Sequence, residues 1–453
     1  MGPIGLEYVA EALRTAGFGI DILDLCWEEN WPNSLRRFFA SRSFDLVGVG
    51  LRNTDDCAMA SRRSFLGEFV AIVSSIAEAS GAPLVLGGGG FSVMPVEILK
   101  LCRAAAGIWG DGEFAFVELA EKLKRGEEWS GVPNLIRPDG DSWRRNPAYT
   151  LPLNELPPMK RDIFDNRRYF REGGQAGIET KRGCAQSCVY CADPVAKGRT
   201  VRTRPPADVA DELESLLRQG IDHIHTCDSE FNLPPAHARE VCREIIRRDL
   251  GDKLNLYAYC SPAPFPPELA VLMKKAGFRG INFGVDSGDD RILKNLGRDF
   301  SVVDIINAVR RGRRQGITIM LDLLIGSPGE SRRSIINTID LARQSGSDRV
   351  GIALGARVYP GTELGRMAED GYLKDGLSGG GEPAEPLFYL EPRISPFAAG
   401  LLDELIGDDK RFFFLGSQRP DRNYNYNANQ ALIDAIGRGH RGAYWDILRK
   451  ISD

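Results

Sequence analysis

This 453-residue sequence lacks several features that would place it in a broad class at once. Its formal net charge is only −4, so no basic excess indicates nucleic-acid binding. No apolar run approaches the roughly 20 residues of a membrane-spanning helix, and residues 1–8 show no basic stretch followed by an apolar core. The length predicts two or three domains, and we expect a globular cytoplasmic protein without a membrane span or a secretion signal.

Histidine is scarce as well, and its distribution is uneven. The four histidines are His223, His225, His237 and His440, so the first 222 residues contain none. An imidazole ligand from the N-terminal part of the chain is therefore excluded. Cysteine, by contrast, occurs nine times, and three of the nine lie within eight residues. An odd number with such clustering favours a reducing compartment and metal binding over disulfides.

The three clustered cysteines, Cys184, Cys188 and Cys191, form a C-x3-C-x2-C pattern directly after a short predicted strand. Three thiolates on one loop can ligate a single metal centre. A closed zinc site needs four ligands, and Cys227 or His225, one strand later, could complete it, so zinc is kept as an alternative. On a four-iron cluster, three cysteines leave one iron open to a ligand, which suits an enzyme.

This loop resembles the signature of the radical S-adenosylmethionine (SAM) superfamily, which has the same spacing and an aromatic residue before the last cysteine, here Tyr190. The resemblance implies that Cys184, Cys188 and Cys191 hold a [4Fe-4S] cluster whose open iron binds the amino and carboxylate groups of SAM. Three unliganded core cysteines are the alternative, and the neighbouring Lys181 disfavours it.

In residues 1–148, predicted strands alternate with helices, which is the pattern of an open, doubly wound parallel sheet. Helices are predicted over 3–16, 64–79 and 95–103 and after Glu113, and strands over 18–25, 45–50, 84–86 and 106–109. Four glycines, Gly87 to Gly90, follow one of these strands. Ligands of such sheets bind at the carboxyl ends of the strands, where glycine allows close backbone approach.

The run from Gly89 and Gly90 through Pro95 to Leu99, followed by a Gly-Asp-Gly-Glu turn, resembles the cobalamin-binding domain that precedes many radical SAM enzymes. This resemblance implies a Rossmann-like α/β domain that binds cobalamin through glycine-rich strand ends and the loop after the strand at 45–50. The residues expected to contact the cofactor are Arg52, Asn53, Gly87, Gly88, Gly89, Gly90, Gly110, Gly112 and Glu113.

Two departures from that family matter. The D-x-H-x-x-G motif is absent, so no histidine of this domain can ligate cobalt. We expect base-off cobalamin without a protein ligand, with the permanently charged Arg52 near its lower face. The family's domain also opens with a strand that has no counterpart before Pro3. We therefore expect either a natural start upstream of Met1 or a differently packed sheet.

Residues 149–173 are irregular and rich in proline, and we predict a linker on the protein surface. Residues 174–375 contain six predicted strands alternating with helices, the pattern of a partial (β/α)6 barrel with its chemistry at the carboxyl ends of the strands. The strands are predicted at 177–180, 223–226, 254–259, 280–286, 317–325 and 350–358. Residues 376–453 are predicted to form a small, α-rich C-terminal capping region.

Polar residues follow the second and fourth strands of this barrel, where the radical SAM family binds SAM. The residues expected to contact SAM are Asp228, Ser229, Glu230, Asp286, Ser287 and Arg298. The resemblance implies that an acid after strand two accepts the SAM ammonium, that Asp286 contacts the ribose and that Arg298 binds the carboxylate. A helix N-cap is the alternative for the polar residues after strand two.

Together the two resemblances predict a cobalamin-dependent radical SAM enzyme, foremost a methyltransferase acting on a small molecule or natural-product intermediate. The histidine-free first domain and the aromatic tail, with Tyr424 and Tyr426 as candidate pocket residues, are similar to tryptophan 2-methyltransferases. SAM could serve as a radical source or only as the methyl donor. The alternatives are cyclisation, rearrangement or methylthiolation on the same scaffold, and a non-catalytic iron–sulfur or zinc protein. A flavodoxin- or ferredoxin-type electron donor is the expected partner.

Overall fold

The structure is a computed structural model that describes residues 1–382, 384–414, 416, 422–424 and 429–452. Two separate sheets of mainly parallel strands organise these residues. In the part of the chain so described, no helix has both the length and the apolar character needed to cross a membrane.

The first sheet lies in the N-terminal part of the chain. Its strands are β1 (Val47–Gly50), β2 (Leu84–Gly87), β3 (Ala106–Ile108), β4 (Leu135–Asp139) and β5 (Ser142–Arg145). They are arranged in the order β1-β2-β3-β4-β5, with β1 to β3 parallel and β4 and β5 as an antiparallel hairpin. The alternation of parallel strands with helices confirms the predicted doubly wound domain.

Helices cover this sheet because their apolar residues recur at the helical period. They are α1 (Ile4–Thr15), α2 (Trp31–Ala40), α3 (Leu66–Ala79), α4 (Gly89–Val93), α5 (Pro95–Cys102) and α6 (Glu113–Arg125). Phe69 and Val73 of α3 and Leu99 of α5 share one buried cluster with Leu86 of β2. Because β1, β2 and β3 are parallel, their carboxyl ends lie along one edge of the sheet.

The strand predicted over residues 18–25 is wrong. The segment has no regular structure before a short 3-10 helix at Leu25–Trp27. In the described sheet β1 pairs with β2 alone, so this alternating segment has no neighbouring strand to supply backbone hydrogen bonds. Buried or half-buried backbone N–H and C=O groups need hydrogen-bond partners. An alternation of apolar and polar side chains does not by itself provide them.

The proline-rich segment after the first sheet packs its apolar side chains against the first domain, and its assignment as a linker stays a prediction. Leu151, Leu153, Leu156 and Met159 are buried and pack against Tyr8 of α1. Burying each such side chain contributes about 1.5–3 kcal/mol, which favours a packed position despite the irregular backbone. The segment leads into α7 (Asn166–Gly173). The domain boundaries at 148, 173 and 375 stay predictions.

The second sheet is the predicted barrel, confirmed with one strand more than expected. Its strands are β6 (Ala176–Ile178), β9 (His223–Thr226), β10 (Asn255–Cys260), β11 (Phe278–Asp286), β12 (Thr318–Ile325), β13 (Arg349–Leu354) and β17 (Phe412–Phe414). All are parallel, in the order β17-β13-β12-β11-β10-β9-β6 among the described residues. The added strand, β17, comes from the aromatic run of the C-terminal region.

Helices surround this sheet, and short strands decorate its carboxyl end. The helices are α8 (Asp193–Lys197), α9 (Pro206–Arg218), α10 (Pro235–Arg247), α11 (Pro267–Lys275), α12 (Asp290–Asn295), α13 (Val302–Arg314), α14 (Arg332–Ser345), α15 (Glu363–Glu369) and α16 (Ala398–Ile406). The short strands are β7 (Lys181–Arg182), β8 (Arg202–Thr203), β14 (Ala356–Arg357), β15 (Leu377–Ser378) and β16 (Phe388–Tyr389). Outward-facing strand residues such as Ile281, Phe283 and Leu321 are buried beneath the helices.

Two final helices, α17 (Gln430–Gly437) and α18 (Tyr444–Ser452), close one end of the barrel. Trp445 packs in a buried cluster with Tyr257 of β10 and Met320 of β12. On its strand, each of these two residues precedes a lumen-facing residue by two positions. Tyr257 and Met320 therefore lie nearer the amino end of the barrel. The helices therefore close the end opposite the cysteine loop and leave the carboxyl end for ligands.

Candidate active site

The cysteine loop lies between β7 and β8, at the carboxyl end of the barrel. Cys184 is buried, Cys188 and Cys191 are partly buried, and all three are free thiols. Burial raises the pKa of Cys188 to about 11 and that of Cys191 to about 12. Thiols in such surroundings become thiolates when a metal supplies the compensating positive charge.

Asp228, at the end of β9, positions this loop. Its Oδ1 accepts hydrogen bonds from the backbone N–H groups of Thr180 (2.8 Å) and Lys181 (3.1 Å), and its Oδ2 accepts one from the Thr180 hydroxyl (2.7 Å). The hydroxyl of Ser229 donates to Asp193 Oδ2 at 2.5 Å. Both residues therefore have protein partners that hold the turn, and their predicted contact with SAM stays a prediction.

Arg298 connects the cysteine loop to the end of β11. Its guanidinium donates to Cys188 Sγ (3.1 Å), to Asp286 Oδ2 (2.6 Å) and to the carbonyl of Gly284 (2.9 Å). Asp286 also accepts a hydrogen bond from the hydroxyl of Tyr190, the aromatic residue of the cysteine motif. Hydrogen bonds to cluster sulfurs tune the reduction potential, so this arginine lies where it can act on the cluster.

The SAM contacts predicted for the end of β11 stay predictions. Asp286 and Arg298 lie beside the cysteines as expected, but in this structure each is the other's partner. Ser287 is completely buried, with its hydroxyl 3.2 Å from that of Thr338 on α14. Its side chain supports the turn and faces away from the cysteine loop.

Glu230 is the residue whose surroundings best fit a bound non-protein group. Its Oε2 is buried and has no hydrogen-bond partner among the described residues. Its Oε1 lies 3.9 Å from Nη1 of Arg298, and burial raises the pKa of Glu230 to about 7. A buried polar atom without a partner costs free energy. Its position near the cysteines is therefore compatible with a cluster or the ammonium of SAM.

The zinc alternative has no support in this geometry. His225 Nδ1 lies 2.6 Å from the carbonyl oxygen of Thr226, and burial lowers the pKa of His225 to about 4. Within the described residues, no three His, Cys, Asp or Glu side chains surround a space suited to one metal ion. In a polynuclear cluster each thiolate binds a different iron, so three cysteines can serve it without converging on one point.

The glycine run of the first domain brings the Arg52 loop to the edge of the sheet. Gly88 has φ +100°, and a Cβ there would lie 2.4 Å from the carbonyl oxygen of Leu51. Gly90 donates its N–H to that oxygen at 3.0 Å, and a Cβ on Gly90 would lie 3.1 Å from the carbonyl of Arg52. Two of the four glycines therefore serve the packing of the loop, and cofactor contact by this run stays a prediction.

We expect Gly88→Ala to displace the Arg52 loop and to weaken cobalamin binding about tenfold or more. The left-handed φ and the overlap with Leu51 each cost an alanine conformational energy. Their combined cost exceeds the ~1.4 kcal/mol that corresponds to a tenfold change in affinity. Equilibrium dialysis with hydroxocobalamin measures the effect. Gly81→Ala is the matched control, because a Cβ at Gly81 meets nothing within 4 Å. Equal affinity in the two variants would contradict a role for this loop in the cobalamin site.

Arg52 itself is exposed, and its charge acts on Cys227 and Tyr259 at the carboxyl end of the barrel. The loop is also anchored from the other side, where Asp55 forms a buried ion pair of 2.9 Å with Arg357 of β14. In addition, α4 packs on α8, the helix that follows the cysteine loop. The glycine-rich edge of the first sheet therefore faces the mouth of the barrel.

The Gly-Asp-Gly-Glu turn has a structural role that the sequence analysis did not predict. Arg182, two residues before Cys184, is buried and forms ion pairs of 2.8 Å with Asp111, Glu113 and Glu179. The carboxylate of Glu113 is thus directed at the strand before the cysteine loop, and its predicted contact with cobalamin stays a prediction. These ion pairs join the first domain to the cysteine loop.

The barrel lumen contains polar and aromatic side chains that the sequence analysis did not assign to it. They are His225, Tyr259, Asn282 and Asp322. Tyr259 is 45% exposed, and its ring centroid lies 4.9 Å from that of His225. The missed strand residues alternate with outward-facing core residues, so the period of two along each strand was the available signal. Of the two predicted pocket tyrosines, Tyr424 lies beside Phe413, whereas Tyr426 is outside the described residues.

Free cysteines lie at the mouth of a partial barrel, and the glycine-rich edge of a second α/β domain faces them. This arrangement indicates an enzyme that combines an iron–sulfur cluster with a second cofactor. Family profiles agree with this division. The profile described as the radical SAM superfamily matches residues 178–342, and the profile of the B12 binding domain matches residues 1–120.

Individual relatives specify the class further. The chain is 31% identical over 423 residues to the tryptophan 2-C-methyltransferase of Streptomyces laurentii, covering 80% of this chain and 71% of that protein. It is 27% identical over 374 residues to an uncharacterized methyltransferase of Pyrococcus horikoshii, covering 81% and 78%. A solved structure of the radical SAM methyltransferase TsrM from Kitasatospora setae, with tryptophan substrate and a SAM analog bound, matches with a TM-score of 0.93 and 32% identity, covering 100% of this chain and 95% of that chain.

This chain belongs to the family of cobalamin-dependent radical SAM methyltransferases. The predicted fold class and enzyme class are confirmed, and with them a SAM-using domain and a B12-binding domain. A small-molecule substrate is in keeping with this family.

Proposed function

We propose that this enzyme transfers a methyl group from SAM to carbon 2 of tryptophan. The observation that carries the proposal is the lumen, where the half-exposed ring of Tyr259 lies within reach of the charge of Arg52. An indole bound against the ring of Tyr259 would lie next to both the cysteine loop and the first domain. The relative from Streptomyces laurentii, named for the same reaction, supports the proposal.

The cofactor residues follow from the same geometry. Cys184, Cys188 and Cys191 would hold the [4Fe-4S] cluster, with Glu230 and Arg298 beside it. The Arg52 loop, including Asn53, and the glycine run would hold cobalamin. When bound, cobalamin supplies a methyl carrier, and the cluster supplies an open iron that can ligate SAM.

In the overall reaction, the bond between the SAM sulfur and its methyl group breaks and a bond from that methyl group to the indole carbon forms. The proton on that carbon is released. The protein orients the indole against Tyr259 and keeps His225 neutral, because burial lowers the pKa of His225 to about 4. Arg52 contributes a permanent positive charge between the two domains.

Two further assignments belong to this proposal. A flavodoxin- or ferredoxin-type protein would supply electrons to the cluster, since a four-iron cluster is active in a defined oxidation state. The enzyme would work in the cytoplasm, where thiols stay reduced, and the nine free cysteines of the chain support this location.

The test is anaerobic reconstitution with iron, sulfide and hydroxocobalamin, followed by incubation with tryptophan and SAM that carries a trideuterated methyl group. We expect mass spectrometry to find tryptophan with one CD3 group on carbon 2 of the indole. Formation of 5′-deoxyadenosine, measured in the same samples, distinguishes a radical route from simple methyl donation. A reconstituted enzyme that binds all three cofactors yet leaves tryptophan unlabelled would contradict the substrate assignment.

A further inference from the structure

Asp322 of β12 lies in the lumen and is held in a defined orientation. Asn282 of β11 donates its amide N–H to Asp322 Oδ2 at 3.1 Å. The amide of Asn282 cannot be reversed, because its own oxygen accepts the indole N–H of Trp445 at 2.7 Å. Trp445 belongs to the cluster that closes the barrel. The floor of the lumen thus fixes one oxygen of Asp322.

The second oxygen of Asp322 is free for a ligand. A Cβ on Gly351 of β13 would lie 2.6 Å from the methyl carbon of Met320 and 3.1 Å from Asp322 Oδ1, so any larger residue at this position would crowd the oxygen. No side chain or backbone donor among the described residues bonds Oδ1. The same absent Cβ would lie 3.4 Å from the ring of Tyr424, which places this aromatic ring near the free oxygen.

The charge of Asp322 is also uncompensated. Within the described residues no Lys or Arg forms an ion pair with it. Burial and, to a lesser degree, the like charge of Asp286 raise the pKa of Asp322 to about 6, against the hydrogen bond from Asn282, which lowers it. A partly buried carboxylate without a cation loses hydration that nothing replaces, and a cationic ligand would offset that loss.

We propose that Asp322 recognises the α-ammonium group of the amino-acid substrate through its free Oδ1, with Asn282 as its positioning residue. This assignment rests on the proposed function, and it deepens that proposal by naming the feature of tryptophan that the lumen selects. A neutral indole N–H could form a hydrogen bond with the same oxygen but would leave the charge uncompensated. The ammonium group satisfies both the hydrogen bond and the charge.

The test compares two ligands on reconstituted holoenzyme without SAM, so that no turnover occurs. Isothermal titration calorimetry measures the Kd of tryptophan and of indole-3-propionate, which lacks the ammonium group. We expect the parent to prefer tryptophan. In Asp322→Asn we expect tryptophan binding to weaken by about tenfold to hundredfold, the range for loss of a hydrogen bond between charged groups. Binding of indole-3-propionate should stay within about twofold of the parent, because it makes no use of this charge.

Matched variants separate recognition from general damage. Asp322→Glu keeps the charge and should retain part of the preference for tryptophan. Asp340→Asn removes an exposed carboxylate on α14 and should change neither Kd. Asp322→Asn should melt no lower than the parent, since it removes a partly buried charge that no Lys or Arg of the described residues compensates. This combination of retained stability and lost ligand preference is not expected of a merely structural residue.

The outcomes are distinguishable. A parent holoenzyme that does not bind tryptophan overturns the proposed function and this assignment with it. A parent that binds tryptophan while Asp322→Asn binds it equally well overturns this assignment alone. Equal weakening of both ligands in Asp322→Asn would also overturn it, because the carboxylate would then shape the lumen without recognising the ammonium.

Discussion

Replacing Cys184, Cys188 and Cys191 together with alanine is expected to abolish iron binding and to leave cobalamin binding intact. About four irons per chain should bind to the reconstituted parent and essentially none to the triple variant. Each substitution removes one of the three thiolates that would ligate the cluster, so none of the three remains in the variant. The residues that we expect to bind cobalamin lie in a different domain, so the affinity of the triple variant for cobalamin should not change.

Iron analysis and the visible absorption of the cluster measure the first half of this prediction, and equilibrium dialysis with hydroxocobalamin measures the second. Cys26→Ala is the matched control, because Cys26 is an exposed free thiol of the first domain. It should bind both cofactors like the parent. Retained four-iron absorbance in the triple variant would remove the basis for the cluster assignment.

Arg161→Met is expected to reduce the free energy of unfolding by about 3–5 kcal/mol, the range for breaking a buried ion pair by removing one partner. Arg161 is only 1% exposed and lies in the segment between the two sheets. It pairs with Glu7 of α1 at 2.6 Å and with Glu212 of α9 at 2.7 Å, and it donates to the carbonyl of Gly177 at 2.9 Å. Methionine fills a similar volume but leaves the buried Glu7 without a cation and Glu212 with Arg204 alone.

Urea denaturation followed by circular dichroism measures this effect as a lower midpoint. Arg218→Met is the matched control. Its side chain is 69% exposed and lies 3.9 Å from Glu214 on the same helix, so its loss should change the free energy of unfolding by no more than about 0.5 kcal/mol. If the two variants unfold at the same urea concentration, the buried arginine does not join the two parts of the chain as the structure indicates.

The elements with the strongest local signals were predicted closely. β9 was predicted over 223–226 and is observed at His223–Thr226, and the helix predicted over 64–79 is observed as α3 at Leu66–Ala79. The cysteine spacing identified the candidate cluster loop without any structure. These features depend on residues that are neighbours in the chain, so the sequence contains the whole signal.

The role of polar residues at strand ends was harder to predict. Asp228 and Glu230 are two positions apart, yet the first is bonded to the cysteine loop and the second has an unpartnered oxygen. Glu113 pairs with Arg182, a partner that lies 69 residues away in the sequence, and its contact with a cofactor stays a prediction. A carboxylate takes the partner that folding brings within hydrogen-bond distance, and that partner is often far away in sequence.

The sequence by itself determined the cysteine loop, the alternation of strands and helices in both domains and the absence of histidine from the first domain. Only the tertiary structure decided the rest. In the folded chain the apolar side chains of a proline-rich segment are buried, and β17 extends the sheet of the barrel. Asn282, Asp322 and Gly351, from three different strands, lie together on one wall of the lumen. The physical reason is that periodicity records which face of an element is apolar, whereas the contents of a lumen depend on the register between strands.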